Sequence, residues 1–299
     1  MRAENPCGDV AECTFETVVV LSEPEGEPAG GVDYTANDPF YANPYTGVFR
    51  PGTNVGYNPP WTDEEMANLA AGNDALGIKG IGAKTMRPGL YDQITAVYGY
   101  DFRLSTYEHY ASLGLEDLTM IVGFPAEWHR DLTDYCGDGS NSAMFRNLYT
   151  DIWDDGTDGT PYNDENFYAA YLYEVVSRYG PYVTFWEIWN EPGFDLTGNR
   201  GWRQPGDPVG NWWDNDPDPC EYILRAPIEH YVRTLRISWE IIKTLQPDDY
   251  VAVAGVGFVS FLDAILRNTD DPFNGGEVNA DFPNRGGAYF DVMLSLIHI

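Results

Sequence analysis

The sequence predicts an α/β fold, and within that class an incomplete (β/α)8 TIM barrel with about six of its eight βα units. Three observations lead there. From about residue 53, strand-like runs alternate with helical runs, the pattern of βαβ units on a parallel sheet. The longest loops follow strands, on the face where such barrels build their sites. The glycines of "GIKGIGAKT" lie within or before a strand and open no helix, so the turn of a doubly wound nucleotide-binding fold is missing. A nucleotide-dependent enzyme is disfavoured on the same ground.

The elements follow in order. "TNVGYN" (53–58) is a short strand. In "WTDEEMANLAAG", Thr62 and Glu65 form a capping box that starts a helix, and Gly72 ends it. "IKGIGAKTM" (78–86) reads as a second strand, "LSTYEHYASLG" as a helix, and "LTMIVGF" (118–124) as a third strand. Tyr168, Leu172, Val175 and Tyr179 fall on one helical face, with Gly180 as the stop. "YVTFWEIW" (182–189) is the fourth strand. Ile228, Val232, Leu235, Trp239 and Ile242 then form the apolar stripe of a long helix. "YVAVAGVG" (250–257), "VSFLDAILRN" (259–268) and "AYFDVML" (288–294) supply a fifth strand, a fifth helix and a sixth strand.

The domain reading has three parts. Residues 1–52, rich in Pro, Gly, Glu and Asn with one β run "FETVVVLSE", form a leader packing on the barrel. Residues 53–293 form the partial barrel. Residues 294–299, "LSLIHI", read as a non-native tail that resembles translated sequencing-adapter DNA, so native sequence is expected to end near Met293. His298 is therefore given no role.

Of 299 residues, 43% are hydrophobic, enough for a large buried core. The 47 acidic and 17 basic residues give a formal net charge of −30, which repels nucleic acid and anionic membranes. It fits a soluble protein in a saline setting. No apolar run is long enough to span a bilayer, and the opening "MRAENPCGDV" lacks the apolar core of a secretory signal. Cys7, Cys13, Cys136 and Cys220 are too few and too scattered for a disulfide scaffold, and none sits in a CxxC pair. Cys7 and Cys13 are near enough to bridge in an exported protein, though sequence alone leaves the pairing open. The acidic loops "DIWDDGTDGTPYNDEN" and "WWDNDPDPCEY" do not match a calcium loop and read as solvated surface.

The chemistry concentrates in "FWEIWNEPGFD" (185–195). An apolar, aromatic run ends on Asn190, Glu191 and Pro192, and proline cannot extend a paired strand. By strict alternation Trp186, Ile188 and Asn190 share one parity, and Glu187, Trp189 and Glu191 the other. Glu191 is thus expected at the carboxyl end of the fourth strand, where barrels present catalytic groups.

"WNEP" after an aromatic strand resembles the acid/base signature of glycoside hydrolase clan A, the retaining (β/α)8 glycosidases that include the cellulase-like families. The resemblance extends over roughly residues 53–293 and is sharp only at this motif. It implies that Glu191 is the general acid/base and that Asn190 hydrogen-bonds the sugar hydroxyl beside the reacting carbon. A retaining glycosidase needs one protonated carboxyl that donates to the leaving oxygen and then serves as base towards water. An apolar, aromatic setting favours that protonated form.

Other positions are less sharply marked. Arg87, just past the second strand, reads either as an ordinary loop or salt-bridge arginine or, by the resemblance, as a support for the nucleophile. His129 in "PAEWHRD" is either a surface histidine or a substrate contact. Trp61, Trp128, Trp153, Trp202, Trp212 and Trp213 all fall in loops after predicted strands, which suggests a cleft lined with sugar-stacking rings. Trp128, Trp212 and Trp213 are singled out, and alanine at the last two is expected to weaken oligosaccharide binding.

In clan A the nucleophile is a glutamate ending the seventh strand, and no residue here fills that place. Glu187 is a poor substitute, lying deeper in the same strand as Glu191. The parent is therefore expected to be a secreted retaining β-glycosidase acting on a polysaccharide or oligosaccharide, without metal or organic cofactor, and this fragment is expected to be inactive. The alternative is a noncatalytic carbohydrate-binding protein on a degenerate barrel.

Overall fold

The computed structural model describes residues 2–4, 10–12, 45, 47, 50–54, 61–197 and 200–295. The chain divides into two compact units, Met1–Tyr41 and Ala42–Ile299. In the first, β1 (Arg2–Glu4) and β2 (Val10–Glu12) pair antiparallel, with Ala3 opposite Ala11. The expected strand "FETVVVLSE", together with Cys7 and Cys13, lies outside the described residues. So does His298 at the other end of the chain.

The second unit is α/β with parallel sheets. Strands β3 (Gly52–Asn54) and β4 (Thr85–Arg87) pair with each other. Strands β5 (Leu118–Val122), β6 (Val183–Ile188), β7 (Tyr250–Val256) and β8 (Val292–Ser295) form a second parallel sheet in sequence order. A parallel bridge between Gly89 and Ile121 joins the two sheets beyond the end of β4. Helices α1 (Asp63–Ala71), α2 (Asp92–Tyr98), α3 (Leu104–Ser112), α4 (Phe167–Tyr179), α5 (Ile228–Leu245) and α6 (Val259–Arg267) lie between the strands. Among the described residues no helix is long and apolar enough to cross a membrane.

Local chemistry explains most boundaries. At the start of α1 the Thr62 hydroxyl accepts from the Glu65 amide at 3.2 Å, and the Glu65 carboxylate accepts from the Thr62 amide at 2.8 Å. Such a reciprocal cap satisfies two otherwise orphaned donors. Asn166 caps α4 by accepting from the Ala169 amide at 3.1 Å. The expected faces are buried: Tyr168, Leu172, Val175 and Tyr179 on α4, and Ile228, Val232, Leu235 and Ile242 on α5. Trp239 is only partly buried, with the Lys243 ammonium 4.8 Å from the centre of its ring. Every residue of β7 is buried, as in a parallel strand covered on both faces.

Two expectations need correction, and a third holds with a different geometry. The second strand is not 78–86 but only Thr85–Arg87, because Gly80 and Gly82 adopt left-handed φ of 66° and 82° that no extended strand tolerates. Gly180 stops α4 as expected, capping its last turn, though not in a left-handed conformation. Its φ is −47°, and it opens a 3-10 turn with Pro181, whose missing N–H ends the α-helix. The last strand starts at Val292 rather than near 288, since Gly286–Tyr289 coil into a 3-10 turn.

Tyr45 and Arg50, ahead of β3, cover the amino end of the second sheet. The Tyr45 ring lies 5.3 Å from Phe185 and 5.9 Å from Tyr250, and its hydroxyl donates to Asp117 at 2.8 Å. Arg50 pairs with Asp117 at 2.5 Å and with Glu116 at 2.8 Å. Long connections are left at the opposite, carboxyl end, after β5 (123–166) and after β6 (189–227).

Candidate active site

Glu187 is the penultimate residue of β6 and is fully buried. A carboxylate cannot be buried alone without heavy cost, so it demands a cation. Arg87, the last residue of β4, supplies it. Arg87 Nε donates to Glu187 Oε2 and Nη2 to Oε1, each at 2.6 Å. The Gly255 amide of β7 adds a long contact to Oε1 at 3.4 Å. Burial works against the Arg87 cation, but the bonds and charge of Glu187 more than offset it and hold the guanidinium above its usual range.

The same Nη2 also donates to Asn190 Oδ1 at 2.9 Å. Simple alternation places Asn190 and Glu187 on opposite faces, and that expectation fails for a visible reason. Trp189 has φ 76° and Glu191 φ 48°, so the pleat ends at Ile188 and the chain turns sharply through the motif. Left-handed backbone at a bulky tryptophan is costly and persists only where its surroundings fix it. Here the Trp189 amide donates to Val122 O at 2.8 Å, and its ring stacks on Phe124 at 5.0 Å. Gly123 allows this approach: a Cβ there would stand 2.7 Å from the Trp189 ring.

Glu191 follows, half-buried at the carboxyl end of β6, with its carbonyl accepting from the Phe194 amide at 3.0 Å. Its negative charge is among those that favour the Arg87 cation. Arg87 and Asn190 also line a cavity of about 520 Å³, walled by Tyr91, Phe124, Asp63 and Arg103. Arg103 there is already engaged, paired with Asp63 and donating to Gly89 O at 3.1 Å. The structure thus brings together Arg87 and Asn190, with Glu191 next in the chain and Glu187 beneath.

The remaining candidates lie apart from this cavity's lining. His129 belongs to a 3-10 turn (Glu127–His129); its Nδ1 is 2.8 Å from Asp92 Oδ2 and its ring stacks on Phe167 at 4.6 Å. Asp92 is fully buried and also accepts from the Ala126 amide at 2.7 Å; burial pushes its carboxyl up despite those bonds. His129 therefore pins its loop to α2. Trp128 beside it is exposed.

Trp212 is a correction. It is 1% exposed, its Nε1 donates to Glu221 Oε2 at 2.9 Å, and its ring packs on Phe258 and Phe261. A ring so enclosed offers no face to a sugar. Trp213 is half-buried, and its carbonyl accepts from Arg267 at 3.3 Å.

Two features escaped the sequence reading. Glu187 was legible as a lone carboxylate in an apolar strand, which calls for a buried cation. The disulfide between Cys136 and Cys220, 84 residues apart, ties the loop after β5 to the loop after β6 and gave no spacing signal.

No family model matches the chain, and no curated protein matches it. Among solved structures it is similar to a GH30 endoxylanase from Clostridium papyrosolvens, with TM-score 0.43 and 14% identity over 73% of this chain and 45% of that one. It is also similar to an exo-β-1,4-mannosidase from an Opitutaceae bacterium, with TM-score 0.43 and 14% identity over 82% of this chain and 37% of that one. A conserved exported protein from Bacteroides fragilis gives TM-score 0.41 and 12% identity, over 78% of this chain and 51% of that one. The chain spans about half the length of these structures or less.

Proposed function

We propose that this chain is part of a retaining glycoside hydrolase acting on β-linked polysaccharide or oligosaccharide, on a (β/α)8 scaffold of which it carries about six units. The observation that carries the reading is the Arg87 guanidinium, held by buried Glu187, donating to Asn190 immediately before Glu191.

The chemistry follows from that arrangement. Because Arg87 takes Asn190 Oδ1, the Asn190 amide nitrogen is left as the donor for a sugar hydroxyl, and its flip is fixed. Glu191 protonates the departing glycosidic oxygen, then removes a proton from the water that releases the sugar. The second carboxylate, about 5 Å from the first in a retaining enzyme, belongs on this reading to a seventh strand outside this sequence. Glu187 does not serve, since it is fully buried and Arg87 occupies both its oxygens. The Cys136–Cys220 disulfide fits an exported protein, where such bonds persist.

The test is hydrolysis of a panel of β-linked polysaccharides by the parent protein and its Glu191→Gln variant. Release of reducing ends by the parent and its loss in the variant support the reading. Equal activity of the two sinks it, and binding without hydrolysis by either favours a noncatalytic binder.

A further inference from the structure

The peptide joining Ile188 to Trp189 is where β6 ends and the bend begins, and both of its polar groups are taken by other elements. Its N–H, on Trp189, donates to Val122 O of β5 at 2.8 Å. Its carbonyl, on Ile188, accepts from the Tyr231 hydroxyl of α5 at 2.8 Å. A peptide unit is planar, so holding both groups fixes the plane. That plane sets the direction in which the chain leaves the strand, and with it the left-handed φ of 76° at Trp189.

Tyr231 lies in the first turn of α5, fully buried, with its ring 6.0 Å from that of Phe261. Burial holds its hydroxyl well above the usual phenol range against the pull of the Ala254 amide, so it stays a proton donor at any working pH. A second buried tyrosine acts in the same way on the neighbouring strand end. Tyr171 of α4 accepts from the Gly123 amide at 3.2 Å and donates to Leu90 O, and Gly123 is the residue that admits the Trp189 ring. Helices α4 and α5 thus each send one hydroxyl to the backbone that shapes the motif.

We infer that Tyr231 is a positioning residue for acid catalysis: its hydroxyl holds the plane of the Ile188–Trp189 peptide and so sets where Glu191 presents its carboxyl. Glu187 precedes the clamped peptide and Glu191 follows it, so a tilt of that plane moves the acid relative to the sheet. A misplacement of about 1 Å can cost about a hundredfold in rate. The inference rests on the glycosidase reading above and adds to it a residue that touches no substrate.

The experiment compares the parent protein with its Tyr231→Phe, Tyr168→Phe and Glu191→Ala variants, with circular dichroism to confirm folding. Tyr168 is the matched control. It is equally buried, and phenylalanine there removes one hydroxyl contact, to Ser238 Oγ at 2.7 Å, that links α4 to α5 without touching a strand. Each protein is given β-1,4-linked hexasaccharides of glucose, xylose and mannose, and the dinitrophenyl β-glycosides of the same sugars. A departing sugar must be protonated and a dinitrophenolate need not be. The ratio of hexasaccharide kcat to first-turnover dinitrophenolate release therefore reads acid catalysis and is blind to a general loss of folded protein. The inference expects Tyr231→Phe to lose about ten- to a hundredfold on the hexasaccharide while keeping dinitrophenolate release within about twofold. Tyr168→Phe should keep the wild-type ratio. A wild-type ratio in Tyr231→Phe, or an equal skew in Tyr168→Phe, overturns the positioning role, and a skewed ratio in Glu191→Ala then leaves the glycosidase reading intact. No hydrolysis by the parent, or no skew in Glu191→Ala, overturns both.

Discussion

Asn190 and Glu187 accept hydrogen bonds from one guanidinium nitrogen, although a regular strand would send their side chains to opposite faces. The left-handed turn at Trp189 brings them together. The motif is thus a strand that ends in a bend, and the bend lets Arg87 hold a buried carboxylate and a site amide at once.

That dual role sets the expected effect of substitution at Arg87. Arg87→Met strands Glu187 as a buried, uncompensated charge and should cost about 3–5 kcal/mol of stability. Adding Glu187→Gln to it should recover part of the loss, since no charge is then left unpaired. Lysine is not equivalent, because an ammonium cannot reach both Glu187 oxygens and Asn190 as a fork does. Urea denaturation of the three variants checks the order; equal loss in the single and double variants would contradict it.

Trp212 should report on folding rather than on sugar binding. Trp212→Ala removes a fully buried ring and strands Glu221 Oε2, and should cost about 3–5 kcal/mol. The half-buried Trp213 should cost about 1 kcal/mol as alanine. Thermal melts of the two variants separate these outcomes.

Reduction should loosen the carboxyl face. The Cys136–Cys220 bond closes an 84-residue separation, for which chain entropy alone suggests about 4.5 kcal/mol. Cys136→Ser with Cys220→Ser, or the native chain in reductant, should show that loss by chemical denaturation, and the loop after β5 should become the faster site of proteolysis.

His230 should make stability depend on pH. Burial lowers its pKa to about 4, only partly opposed by the charge of Asp131, and its Nε2 lies 3.0 Å from the Tyr135 hydroxyl. Between about pH 6.5 and about pH 4 the unfolded chain binds a proton that the folded one refuses. The stability of the neutral ring is therefore complete above 6.5 and is lost as pH falls through that window. Relative to His230→Gln, the wild type should lose on the order of 2 kcal/mol across it. A constant difference between pH 7 and pH 4 would contradict the assignment.

How far the sequence carried depends on the kind of signal. The capping box at Thr62 and Glu65, the α5 stripe and the apolar run of β7 are local, periodic patterns, and each appears where its residues place it. Glycine-broken stretches were harder: residues 78–84 have strand-like composition but left-handed glycines, and α2 lacks a side-chain cap to announce it. At the site, Arg87 and Asn190 were legible as candidates, while their meeting was not, because a positive φ at a tryptophan has no sequence signature. Trp212 was misplaced for a similar reason. Loop tryptophans look alike in sequence, and only tertiary packing separates the buried ring from the exposed Trp202.

The measurement that tests Glu191 most directly compares leaving groups in the parent protein and its Glu191→Ala variant. An acid catalyst matters for a sugar alkoxide that must be protonated and little for a dinitrophenolate that leaves unaided. The predicted result is a loss of about 10²–10⁴-fold on oligosaccharides, near-normal release of dinitrophenolate in the first turnover, and azide rescue that yields a β-glycosyl azide. Equal loss on both leaving groups without azide rescue, or no loss on either, would contradict the role assigned to Glu191.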